Sequence, residues 1–186
     1  MKQICLVAVA VVFVVCANLS NACVGRTLHI GVANTAGDRM LAEMVSTMIS
    51  ERTGTSVKVD TFRNAREVYD AVRQRKVNII IESPEHALAV LGKPSEPNGK
   101  KAFEIVKGEY RKNLNLAWLE PFGIAQGYAP VLTIETLENY PALPKLLAKL
   151  AGALNNDAYA RLLKSSDSGD KSRKAAKEFL KAKKLI

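Results

Sequence analysis

Between positions 28 and 32 apolar residues alternate with small or polar ones, Leu28-His29-Ile30-Gly31-Val32, and the turn-rich run Asn34-Thr35-Ala36-Gly37-Asp38 follows. A period of two that stops at turn residues predicts a strand ending in a loop. Leu41, Met44, Val45, Met48 and Ile49 then recur at helical spacing, with Gly54 where a left-handed helix end is wanted. The methionines on that face read as core. Val57, Val59 and Phe62 predict a second strand, and Asn64 with Glu67 has the spacing of a capping box before a helix carrying Val68, Ala71 and Val72. Val77 to Ile81, apolar except for Asn78, is a third strand.

Strand, helix, strand, helix, strand implies βαβ units, so the fold class is α/β, with a mainly parallel sheet flanked by helices. In such sheets ligands collect beyond the carboxyl ends of the strands. Asn34 to Asp38, Arg63 to Arg66 and Glu82 to His86 are therefore expected to converge. Ser83 and Pro84 suit the cap and first residue of a short helix reaching Leu91, and 92–100 reads as a linker. Ala102 to Lys112 is amphipathic. Leu116 to Leu119 and Tyr128 to Leu132 read as strands, and the pattern is helical from Thr136 onward, with breaks at 155–157 and 165–170.

The N-terminus reads differently. After Lys2 comes an apolar run from Ile4 to Ala17 and then the small-residue pattern Ser20-Asn21-Ala22. That is the layout of a secretory signal peptide, and the run is too short for the roughly 30 Å hydrocarbon layer of a bilayer. Residues 1–22 are expected to be removed, leaving 23–186 as one lobe outside the cytoplasm. Cys23 then becomes its first residue, open to ordinary cleavage or to lipid attachment at the thiol. The cysteines stand at 5, 16 and 23, so no disulfide framework or His/Cys zinc cluster is available to the exported part. The formal charge of +9 favours anionic surroundings without naming one. Nine basic and three acidic residues lie between Arg161 and Lys184, a run that could meet anionic lipid or nucleic acid but fits a solvated lysine face better, since an exported protein seldom meets DNA.

Three stretches carry a likeness: Gly37 to Gly54 (GDRMLAEMVSTMISERTG), Arg66 to Glu82 (REVYDAVRQRKVNIIIE) and Asn115 to Ala129 (NLAWLEPFGIAQGYA). With them the chain resembles the substrate-binding proteins of glycine betaine/choline ABC importers, the OpuAC-like family with a type 2 periplasmic-binding fold. The resemblance implies a two-lobed clamp, yet Tyr128-Ala129 runs straight into Pro130-Val131-Leu132 and the C-terminal helices, so the second lobe is expected to be missing. It further implies an extracytoplasmic solute-binding component taking glycine betaine, choline or a related osmoprotectant, with an ABC permease as partner, neither cofactor nor metal, and no catalytic role. The alternative is a one-lobed interaction or sensory module without transport.

The ligand-binding residues that follow from this reading are Asn34, Thr35, Asp38, Asn64, Arg66, Glu82, Ser83, Trp118, Gln126 and Tyr128. Family members carry an aromatic loop after the third strand; here Ile81-Glu82-Ser83-Pro84-Glu85-His86 keeps acid and loses the aromatics. Glu82 and Glu85 either meet a cationic solute or favour the dipole of the helix they precede. Trp118 and Tyr128 either face ligand or belong to the core. His29 and His86 stand without a nucleophile at catalytic spacing. A single wall encloses about half of a small solute, which points to weak binding by the monomer or to a homo-oligomer whose second copy supplies the other wall.

N-terminal sequencing of the protein recovered from an exporting host is expected to start at Cys23. A chain that still starts at Met1 overturns the export reading.

Overall fold

The computed structural model describes residues 27–164 and 169–186. The leader, the 20–22 cleavage pattern, Cys23 and the centre of the 165–170 break lie outside the described residues. The elements are β1 (Leu28–Ala33), α1 (Ala36–Thr53), β2 (Val57–Phe62), α2 (Ala65–Arg73), β3 (Ile79–Glu82), α3 (Pro84–Val90), α4 (Gly99–Leu114), β4 (Leu116–Trp118), β5 (Ala129–Thr133), α5 (Ile134–Asn139), α6 (Leu143–Ala153), α7 (Asn156–Lys164) and α8 (Gly169–Ala182).

The strands form one five-stranded sheet in the order β2-β1-β3-β5-β4. β1 is parallel to β2 and β3, while β5 is antiparallel to both β3 and β4. Four strands therefore run one way and β5 alone runs against them, so the sheet is mainly parallel and helices cover both faces. Alternation along each strand sorts the side chains. Leu28, Ile30, Ile79, Ile81 and Leu132 join Met40, Met44, Met48, Leu147 and Leu180 in one apolar core beneath α1, α6, α7 and α8. Ile80, Leu116, Trp118 and Val131 join Val68, Tyr69, Leu88, Val106 and Tyr110 in the other, beneath α2, α3 and α4. Val90 is the single exposed large hydrophobic among the described residues, so the lobe closes both of its faces by itself.

Local chemistry sets the element ends. Thr35 accepts from the Asp38 N–H, Asn64 from Glu67 and Ser83 from His86, each at a helix start, and Pro84 takes the first helical position of α3. Gly54 ends α1 at φ 71° and donates to the Ser50 carbonyl, as its place in the sequence suggested. Two expectations shift. The third strand pairs from Ile79 rather than Val77, because the Asn78 side chain accepts from the His29 N–H and its carbonyl accepts from Thr133, so Asn78 ties three strands together at their base. The run Asn34 to Asp38 is only half a loop: with Thr35 as cap, Gly37 and Asp38 lie in the first turn of α1.

Two glycines separate space from propensity. A Cβ on Gly31 would stand 2.9 Å from both Val77 methyls and 3.3 Å from Phe62 Cε2, whereas one on Gly108, inside α4, would meet nothing within 4 Å. Gly31→Ala is expected to destabilise by about 1–3 kcal/mol through overpacking, and Gly108→Ala to stabilise by about 0.5–1 kcal/mol through helix propensity. Urea unfolding of the two variants checks the opposite signs.

Candidate functional site

Register fixes what reaches the open end of the sheet. Ala33 is level with Phe62 across β1 and β2, and Glu82 is level with Ala129 across β3 and β5. These residues mark the carboxyl tips. Trp118 pairs with Val131, which in turn pairs with Ile80, so Trp118 sits two rungs below the tip. It is 5% exposed and packs edge-on against Phe103 and Tyr110, with ring centroids 5.8 and 5.4 Å away. The structure thus places Trp118 in the core under α4, apart from the other candidates.

Glu82 ends β3 with its carboxyl group turned into the molecule and is 5% exposed. Its Oε1 accepts from the Ser83 N–H at 2.7 Å. Its Oε2 accepts from the Tyr69 hydroxyl at 2.6 Å and lies 2.9 Å from His86 Nδ1. The Tyr69 and Tyr110 oxygens are 2.5 Å apart. Since Tyr69 gives its one proton to Glu82, Tyr110 must be the donor to Tyr69. A chain Tyr110–Tyr69–Glu82–His86 therefore runs from under α4 to the surface. Burial, and then the negative charge of Glu82, holds both tyrosines above the usual phenol range. The hydrogen bond to Glu82 raises the His86 imidazole above its ordinary value, against a partial burial that would lower it.

A second carboxyl group lies within the field of this one at the strand tips. Asp38 is held above the usual carboxylate range chiefly by burial, to which the charge of Glu82 adds; the Thr35 hydrogen bond and the charge of His86 oppose it. Tyr128 and Tyr159 complete the wall. Burial raises both hydroxyls, with Asp38, Glu82 and Glu85 acting on Tyr128, and Tyr128 and Asp38 acting on Tyr159, which is pushed up to about 12. A Cβ on Gly37 would stand 2.5 Å from the Tyr159 hydroxyl, so glycine there lets α7 close onto the start of α1. Gly127, at φ 63°, lets the 119–128 segment turn over Pro84.

The structure therefore brings Asp38, Thr35, Glu82, Ser83 and Tyr128 together. Asn34 borders them, its side chain accepting from Arg39 at 2.9 Å, and Gln126 lies exposed on the loop that delivers Tyr128. Asn64 and Arg66 are not drawn in: Asn64 is spent capping α2, and Arg66 is exposed beside it. His86, Tyr69, Tyr110 and Tyr159 were missing from the candidate set. For His86 a signal existed, since it follows Glu82 at i+4; the tyrosines become neighbours only through tertiary packing.

Chemically the crevice is acidic and aromatic, a combination that suits a cationic group. The Ser83 hydroxyl accepts from the His86 backbone at 3.3 Å, which is a helix cap. Among the described residues no group of three His, Cys, Asp or Glu side chains could hold a metal ion, and no helix is long and apolar enough to cross a membrane. A cleft of about 1400 Å³ opens at the opposite end of the sheet, beside His29, Asp60, Arg73, Asn78 and Asn115. Several of its polar groups are engaged in the fold: Asp60 by His29 and Lys58, Arg73 by Asp70, the Asn78 side chain by the His29 N–H, and the Asn115 carbonyl by the Ile134 N–H.

No protein-family model and no curated protein matches the chain. Solved structures do. A crystal structure described as a glycine betaine/carnitine/choline ABC transporter is similar at TM-score 0.77 and 14% identity, over 87% of this chain and 99% of that one. The apo form of YehZ from Escherichia coli is similar at TM-score 0.76 and 12% identity, over 87% of this chain and 100% of that one. At these identities the likeness establishes the fold, that of a periplasmic binding protein.

A carboxyl group whose folded-state value is raised favours folding when protonated and opposes it once the pH passes the unfolded value. Asp38→Asn is therefore expected to raise Tm near pH 7 by roughly 1–2 °C, with the gain vanishing toward pH 3. Thermal melts of the two proteins across that range check the sign.

Proposed function

We propose that this chain is the solute-binding lobe of an extracytoplasmic ABC import system, with residues 1–22 as export signal and 23–186 as the working part. The solute is a small quaternary amine of the glycine betaine or choline kind, or a related osmoprotectant. One observation carries the reading. At the strand tips of a periplasmic-binding fold, two carboxyl groups, Asp38 and Glu82, lie within electrostatic reach of each other and of Tyr128, and Tyr159 lies within reach of Asp38 and Tyr128. The carboxyl groups supply charge and the tyrosines supply ring faces, the pairing on which cation recognition rests. The structure described as a glycine betaine/carnitine/choline ABC transporter, similar in fold, supports the same solute class.

In this reading Asp38 is the carboxylate that meets the solute. Glu82 is already served by Tyr69, Ser83 and His86, and acts through its field. Asn34, Thr35, Ser83 and Gln126 contribute polar rim, and an ABC permease is the partner to which solute passes. The cationic headgroup loses water on one side only, so binding by the monomer is weak, and a second copy or another wall strengthens it.

Calorimetric titration of the purified chain with choline, glycine betaine and tetramethylammonium is expected to give constants around 1 mM, and Asp38→Asn to weaken them about tenfold. A constant below about 10 μM would show that one wall suffices. Absence of binding at roughly 50 mM of every probe overturns the assignment.

A further inference from the structure

Glu82, 5% exposed, is the most buried carboxyl group at the strand tips. Two of its three donors are fixed: the Ser83 N–H by the start of α3, and the Tyr69 hydroxyl by the buried pair it makes with Tyr110. The third is different. His86 lies four residues on, one helical turn above Glu82, with 44% of its side chain exposed against 7% for Glu82. Its ring can carry a full positive charge or none, and it can turn away from Glu82 into water without disturbing the backbone. Of the three groups bonded to Glu82 it is the one that reaches solvent, and it lies within the field of Asp38.

From this geometry we infer that His86 is a tethered competitor of the cationic solute: protonated, it neutralises Glu82 and weakens binding, and on losing its proton it returns that negative charge to the crevice. The inference rests on the proposed solute-binding role and adds a regulator to it. The groups that face His86 can be named from each element packed around it. Glu82 comes from β3 and Asp38 from the first turn of α1. Glu85 and the Ser83 hydroxyl come from its own helix start. Tyr69 from α2 and Tyr110 from α4 stand behind Glu82, both phenols held neutral, and Tyr128 precedes β5.

Among the described residues, no cationic side chain other than His86 is bonded to Glu82 or to Asp38. Losing the His86 proton therefore changes the net charge of the crevice by a whole unit. The sign follows from linkage. The Glu82 bond favours the charged ring, so the proton is held more tightly than by a free imidazole, and solute affinity rises with pH as that proton is lost. Reciprocally, a bound cation favours the neutral ring, so binding near the midpoint expels protons.

The experiment is titration of the full chain with tetramethylammonium between pH 5.5 and 8.5, for wild type, His86→Gln and His86→Lys. The wild type is expected to gain roughly three- to tenfold in affinity over that range. His86→Gln, which keeps a hydrogen-bond donor without the charge, is expected to bind at the high-pH wild-type strength throughout, apart from a small rise at the acid end that belongs to Asp38. His86→Lys is expected to stay at the low-pH strength. Titrations of the wild type in buffers of different ionisation heat, near the midpoint, are expected to show proton release that His86→Gln lacks. Binding with no pH dependence, or with the full dependence retained in His86→Gln, overturns the competitor role and leaves the solute-binding role standing. No binding by any of the three proteins at any pH overturns both.

Discussion

A carboxylate buried at the end of a strand is tolerable only if its lone pairs are answered, and at Glu82 the answer organises a large part of the molecule. Desolvating an unpaired carboxylate costs several kcal/mol, comparable to the whole stability of a domain. Ser83 must therefore begin α3 at a place where its N–H points back at Oε1. α2 must bring Tyr69 to Oε2, and α4 must lie close enough for Tyr110 to donate in turn. Three helices on one face of the sheet are thus positioned by a polar requirement as much as by the apolar packing around it. The edge-on contacts of Tyr110 with Tyr69 and Trp118 extend that arrangement toward β4.

The opposite face meets a simpler demand. α1 lies along it with Met40, Leu41, Met44, Val45, Met48 and Ile49 fully buried, and α8 packs across α1 with Ala176 and Leu180 inside. Its exposed side joins through a Lys177–Glu51 pair at 2.6 Å, a surface contact that adds little to stability. The two faces meet only at the tips, where Asp38 from the α1 side and Glu82 from the α4 side share one crevice. The acidity of that crevice follows from the layer architecture, since each layer contributes one carboxyl group to the same edge.

Much of the fold was legible because its signals are local. The caps Thr35, Asn64 and Ser83 and the turn Gly54 act within a few residues, and the two periodicities read directly as burial. What the sequence hid depends on register and on distant partners. Trp118 reads as a strand-end aromatic. Only its pairing with Val131, and that of Val131 with Ile80, shows that it stops two rungs short of the tip. The base of β3 moved because Asn78 spends its amide on His29, a bond no pattern reveals. Tyr69, Tyr110 and Tyr159 look like ordinary amphipathic helix residues; the first two gain a role only where α2 and α4 meet the end of β3, and the third where α7 closes on the start of α1. Asn64 and Arg66 were expected at the site from strand order alone, but β2 is the outermost strand and its tip lies beyond β1.

The Tyr159 hydroxyl fills the space where any side chain at position 37 would begin. That single overlap is a contact of long sequence separation. The first sheet strands and α1 can pair through contacts near in sequence, but the tyrosine that walls the crevice arrives on a helix near the other end of the chain. A polypeptide interrupted anywhere before α7 would carry Asp38 and Glu82 and lack Tyr159, so this side of the strand tips is completed only by the distal part of the chain.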